Sequence, residues 1–200
     1  FCCVHAAEVE RYIRETDLER RLATLAVRVI VSAGPCHSAG DALREINELQ
    51  LITSDFVLIP GDVVANFELA PIIAAHKARR ETDRASVLTT LMKRVPAHHR
   101  SRRAGESMIV ALGGETGRLL MYDDVSKHAD GEHKIKLPMD LLQETDRLQL
   151  HADLYDTHID VCTPELLVLL QDNFDWQARP RPHLGHISAY LAGAPRPPPG

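Results

Sequence analysis

A doubly wound α/β fold is what this sequence predicts, from one strand, one alternation and the lack of any repeat. Residues 55–62 read Asp55-Phe56-Val57-Leu58-Ile59-Pro60-Gly61-Asp62, and a continuous apolar run of this kind is the form taken by a parallel strand buried on both faces. Around it, segments of helical periodicity alternate with short β-branched runs in the order helix, strand, helix, strand, helix, strand, as a parallel sheet with crossover helices requires. Nothing recurs at a fixed period, which excludes solenoids and propellers.

The elements follow in order from side-chain spacing. Ala6, Val9, Tyr12 and Ile13 predict a short amphipathic helix over 5–13, and a polar loop follows it to Arg21. Val27-Arg28-Val29-Ile30-Val31, bounded by Ser32, Ala33 and Gly34, predicts a buried strand. Ala42, Leu43, Ile46 and Leu49 share one face of a helix predicted over 41–49, with Asp41 as its N-cap. The helix over 68–82 turns Leu69, Ile72, Ile73 and His76 toward a core. It accepts Pro71 in its first turn and ends in Lys77, Arg79 and Arg80, which complement its dipole. Residues 86–92 predict another strand.

The pattern breaks at 93–105, where Arg94, His98, His99, Arg100, Arg102 and Arg103 describe a solvated loop. Residues 108–122 spell a β-hairpin around Gly113-Gly114-Glu115-Thr116-Gly117. Strands are predicted at 134–137, 148–154 and 159–162. Thr163 and Pro164 then open a helix carrying Leu166, Leu167, Leu169 and Leu170. Pro180, Pro182, Pro195, Pro197, Pro198 and Pro199 predict a proline-rich, unstructured tail over 180–200, leaving 1–179 as one partial domain.

Composition narrows the partners. An apolar share of 44% over 200 residues suffices for one core. With 23 Lys+Arg against 28 Asp+Glu the net charge is -5, so no global basic field draws the chain to nucleic acid or to an anionic membrane. Cys2, Cys3, Cys36 and Cys162 contain no C-x-x-C pair, which points to a reducing, cytosolic setting. No apolar run approaches the roughly 18 residues of a membrane span. Phe1 is neither an initiator Met nor the start of a signal peptide, so the expectation is a chain truncated at its start.

Few residues are arranged for chemistry. Gly61-Asp62 follows the clearest strand, and ligands of open α/β sheets bind outside the carboxyl ends of strands. A carboxylate there can hold a divalent metal against phosphates, or can simply take backbone N–H groups in a turn. The histidines are scattered without nearby cysteines at zinc-ligand spacing, and no P-loop or G-x-S-x-G elbow occurs. In Asp172-Asn173-Phe174-Asp175-Trp176 two aromatics alternate with carboxylates after the last helix, either as contact anchors or as a closure over the core.

Three segments in this order resemble one family. Ser38-Ala39-Gly40-Asp41-Ala42-Leu43-Arg44, the run from Ser54 through Gly61-Asp62 to Asn66, and Asp172-Asn173-Phe174-Asp175 are similar to the nucleotidyltransferase-like domain of the epsilon subunits of eukaryotic translation initiation factor 2B. The Phe1-Cys2-Cys3 start, His76-Lys77-Ala78-Arg79-Arg80, and 153–164 add to the likeness, which covers residues 1–179.

That resemblance implies a mixed, mainly parallel sheet flanked by helices, lacking its first strand. It also implies no catalytic and no cofactor-binding residue in this domain. Asp62 stands where active relatives hold a metal, and is here a vestige. The domain is a scaffold beside the gamma and other subunits, within a protein that releases GDP from initiation factor 2. Asn173 and Phe174 carry over as the family's element for contact with that factor. The alternative is an active sugar-1-phosphate nucleotidyltransferase using Mg²⁺ and a nucleoside triphosphate. It needs a sugar-side acidic residue, which 86–162 does not identify. The paralogous gamma subunit shares the fold but not the wording around Asp62 and Asp160.

Overall fold

In the computed structural model the described residues are 1–21, 24, 26–96, 99–100, 102, 108–114, 116–124, 137, 139, 142, 146–172 and 187–192. The chain divides into two compact units, residues 1–52 with 167–179, and residues 53–166 with 180–200.

The first unit is mainly helical. Helices α1 (Ala6–Glu15) and α2 (Leu18–Arg21) come first, and α1 buries none of its residues. The predicted strand at 27–31 is not one of the named strands: Val31 makes an isolated parallel bridge to Cys2, with Cys2 N–H donating to the Ile30 carbonyl at 2.8 Å. β-branched residues favour a pleat, but a strand also needs a neighbouring ladder. Helix α3 (Ala39–Glu48) starts two residues earlier than its predicted start. Its N-cap is Ser38, whose hydroxyl accepts the Asp41 N–H at 3.1 Å, so Asp41 sits in the first turn instead of capping it.

The second unit holds β1 (Phe56–Leu58), α4 (Leu69–Thr82), β2 (Leu88–Arg94), β3 (Met108–Gly113), β4 (Leu119–Asp124), β5 (Leu148–His151), β6 (Leu154–Cys162) and β7 (Ile187–Ala192). Helix α5 (Pro164–Asp172) follows β6 in sequence. One sheet has the order β1-β6-β2-β7 and the other β4-β3-β5. In the first, β6 runs antiparallel between β1 and β2, while β7 lies parallel to β2 from Leu88↔Ile187 to Lys93↔Ala192. The sheet is therefore mixed. β1, β2 and β7 share one direction, but β2–β7 is the single parallel ladder among the named strands, so the mainly parallel expectation is corrected at the level of hydrogen-bonded pairs.

Three other expectations are corrected in this unit. β1 is three residues long, half-buried and at one end of its sheet, not buried on both faces. β6 runs through 155–158, where the polar residues read as a break between strands. A register shift between Thr90 and Met92, and a positive φ of 61° at His158, show how: the strand takes up a bulge and continues. The Thr157 hydroxyl donates to the Leu91 carbonyl at 2.7 Å across that irregularity. Finally, residues 187–192 within the predicted unstructured tail form β7, because an apolar run between prolines pairs with the edge that β2 offers. The prolines flank the ladder and do not interrupt it.

The hairpin agrees with its expectation: β3 and β4 pair antiparallel, with Gly113 N–H donating to the Arg118 carbonyl at 2.9 Å. The core of this unit centres on Ile72 from α4, Leu91 from β2, and Ile159 and Val161 from β6, with Val57, Val63, Phe67 and Ile73 against it. The expected strand at 134–136 lies outside the described residues. Among the described residues no helix is long and apolar enough to cross a membrane.

Candidate functional site

Asp62 lies in a turn four residues beyond β1. The Val63 N–H donates to the Pro60 carbonyl at 3.2 Å, which places Gly61 and Asp62 at the two central positions, where glycine and aspartate are favoured. Asp62 is exposed, and among the described residues no group of three or more His, Cys, Asp and Glu side chains could hold a metal ion. A lone exposed carboxylate does not fit a resident Mg²⁺, which needs convergent oxygen ligands. The geometry is that of a turn.

Asn173 and Phe174 lie outside the described residues. They directly follow α5, and the end of that helix is built in detail. Arg44, buried on α3, donates from Nε to the Leu170 carbonyl at 2.8 Å and from Nη1 to Asp41 Oδ1 at 3.0 Å. Asp41 also accepts the His37 N–H on Oδ2 at 3.2 Å. Hydrogen bonding of the Ser38 side chain to the carboxylate, foremost, with the His37 N–H and the Arg44 guanidinium, holds the Asp41 carboxyl below the usual carboxylate range. This network escapes sequence reading, because 126 residues separate Arg44 from Leu170. Nor does periodicity point to it, since Arg44 lies off the helix face predicted from Ala42, Leu43, Ile46 and Leu49.

Beside it, Glu45 accepts from the Ser32 hydroxyl and the Ala33 N–H, each at 2.6 Å. Those bonds, the Ser32 one foremost, pull the Glu45 carboxyl below its ordinary value. The Cys36 thiol lies 3.2 Å from the Ser32 hydroxyl. The role of Glu45 is to hold the 32–36 loop against α3.

The basic segment 93–103 is drawn into the fold where it is described. Arg94 pairs with Asp153 at 2.9 Å, and Arg102 Nη2 donates to the carbonyls of Val95 and Ala152, each at 3.0 Å. Guanidinium groups spent on backbone carbonyls and a carboxylate are not a phosphate-tracking stripe. On the bulge of β6, buried Asp156 accepts the His158 N–H at 2.8 Å and lies 3.4 Å from the Tyr122 hydroxyl. These contacts stabilise the bulge.

No protein-family model matches the chain. It is 36% identical over 180 residues to the translation initiation factor eIF2B subunit epsilon of Dictyostelium discoideum, covering 88% of this chain and 24% of that protein. It is 34% identical over 177 residues to the eIF2B subunit epsilon of Schizosaccharomyces pombe, covering 88% of this chain and 26% of that protein. The chain thus spans about a quarter of the length of these relatives. A solved CMP:2-keto-3-deoxy-manno-octonic acid synthetase complexed with CTP is 12% identical, with a TM-score of 0.48 over 89% of this chain and 69% of that one.

Proposed function

The chain belongs to the family of eIF2B epsilon subunits through its nucleotidyltransferase-like region, and from that premise we propose that it is a noncatalytic scaffold domain. The proposed whole protein is the guanine nucleotide exchange factor that releases GDP from initiation factor 2 in the cytosol. Its partners are then the gamma and other subunits of factor 2B, with factor 2 as substrate. The observation that carries this reading is the identity of 34–36% to two epsilon subunits over 88% of the chain.

In this reading Asp62 is a turn residue, exposed at the second central position after Pro60. In the proposed factor 2B assembly Asn173 and Phe174, directly after α5, contact factor 2. The test is the substitution of both residues by alanine in the full-length protein, assembled with its partner subunits. Slower GDP release from factor 2 is expected, and an unchanged rate overturns the role of the pair. In the same preparation, pyrophosphate release from a nucleoside triphosphate, a sugar 1-phosphate and Mg²⁺ would instead establish the transferase reading.

A further inference from the structure

The start of the chain and the loop before α3 meet at a pair of sulfurs. Cys2 is bridged in parallel to Val31, its N–H donating to the Ile30 carbonyl at 2.8 Å and its carbonyl accepting the Ser32 N–H at 3.0 Å. Facing residues in such a pairing share one side of the pleat, and the residues after them share the other. Cys3 and Ser32 therefore lie side by side. The Ser32 hydroxyl is in turn 3.2 Å from the Cys36 thiol, which donates to Glu45 Oε2 at 3.9 Å. On this side the Cys3 and Cys36 thiols are hydrogen-bonded to each other, although they are far apart in the sequence. Both are free thiols, Cys3 exposed and Cys36 half-buried.

Two thiols in contact, one reachable from solvent and one held by a hydroxyl and a carboxylate, are the parts of a dithiol–disulfide couple. In a reducing compartment such a couple stays reduced at rest and closes only when oxidant accumulates. We propose that Cys3 and Cys36 form a reversible disulfide by exchange with glutathione disulfide. The Cys3 thiolate attacks one sulfur of glutathione disulfide, breaking its S–S bond, and one glutathione thiolate leaves. The Cys36 thiolate then attacks the Cys3 sulfur of the mixed disulfide, and the second glutathione thiolate leaves. Each departing thiolate takes up the proton its attacker gave off. Two cysteines are thereby oxidised, and one glutathione disulfide is reduced to two glutathiones. Desolvation foremost, then the hydrogen bond to Cys36 and the nearby charges of Cys36, Glu45 and Cys2, hold the Cys3 thiol above its ordinary value. The resting pair is therefore protonated and slow to react. Closure joins the chain ahead of α1 to the loop leading into α3, so that α1, which buries none of its residues, is held within a covalent loop.

The experiment uses the full-length protein assembled with its partner subunits. The protein is equilibrated with glutathione buffers from fully reduced to fully oxidised, remaining thiols are blocked with N-ethylmaleimide, and the digested fragments are mapped by mass spectrometry without reductant. The expected result is a cross-linked pair of fragments, one carrying Cys3 and the other Cys36, that appears on oxidation and disappears with dithiothreitol. Cys2 shares a fragment with Cys3, so Cys2→Ser is expected to keep the cross-link and Cys3→Ser to lose it. Cys36→Ser removes the second thiol, and a several-fold greater accumulation of glutathione on Cys3 than in the wild type is expected. The absence of the cross-link at every glutathione ratio overturns the proposal. A cross-link that survives in Cys3→Ser and is lost in Cys2→Ser overturns it too, and so does equal glutathione on Cys3 in the wild type and Cys36→Ser. If a variant does not assemble, the wild-type map decides, with fragmentation of the cross-linked pair assigning the bonded sulfur to Cys2 or Cys3.

Discussion

The Nδ1 of His76 on α4 lies 2.8 Å from the hydroxyl of Thr89 on β2, and both side chains are fully buried. Burial pushes the imidazole below its ordinary value. Asp55 opposes that shift, and Arg80 and Arg79 add to it. The unfolded chain takes up a proton near the ordinary imidazole value of about 6.5, whereas the folded chain does so only at lower pH. Between those two values the unfolded state binds more protons, so stability rises with pH. The contribution is complete above about pH 6.5 and is lost as the pH falls toward the folded value. Urea midpoints measured on both sides of that window are expected to fall with acidification in the wild type, and to fall less in His76→Gln.

Leu91 and Val64 give a contrast in burial. Leu91 is 2% exposed in the centre of the sheet, while Val64 is 100% exposed beyond the Asp62 turn. Leu91→Ala should cost about 2–5 kcal/mol, the range for an aliphatic core side chain that leaves a cavity. Val64→Ala should stay within about 0.5 kcal/mol. Equal urea midpoints for the two variants would show that Leu91 is not at the centre of a packed core.

Gly117 closes the β3–β4 hairpin with φ 65°, its N–H donating to the Gly113 carbonyl at 2.9 Å. A side chain there meets the left-handed penalty of about 1–2 kcal/mol for L-residues. Gly117→Ala is expected to lower stability by that amount, read from the urea midpoint at constant slope. Gly117→Asn, which tolerates this region better, is expected to recover part of it.

Asp62 in its exposed turn supports a substitution without consequence. Asn is as well suited as Asp to the central position of such a turn, so Asp62→Asn should leave the melting temperature and GDP release by the assembled protein unchanged. Isothermal titration with Mg²⁺ should give the same heats for both forms. A loss of Mg²⁺ binding in the variant would return Asp62 to a metal site.

The parts legible in the sequence were those settled within a few residues. The inward face of α4, with Ile72 and His76, follows from three- and four-residue spacing. The β3–β4 turn follows from its glycines, and the turn at Gly61-Asp62 from residue types that favour one. Helix α3 was legible too, although its start moved because Ser38 competes with Asp41 for the cap and wins by accepting the third N–H.

What only the tertiary structure decided is which strand lies beside which, and which side chain crosses to another element. β6 inserts antiparallel between β1 and β2, and β7 adds itself to β2 from a proline-flanked segment, although neither partner choice is encoded in local periodicity. Backbone pairing is satisfied by whatever edge the folded chain brings within reach. The polar residues 155–158 could stay in a strand because the opposing β2 accommodates a bulge. The Arg44 contact at the end of α5 has the same cause. A helix predicts that its last carbonyls need donors, but only the folded chain supplies one from 126 residues away.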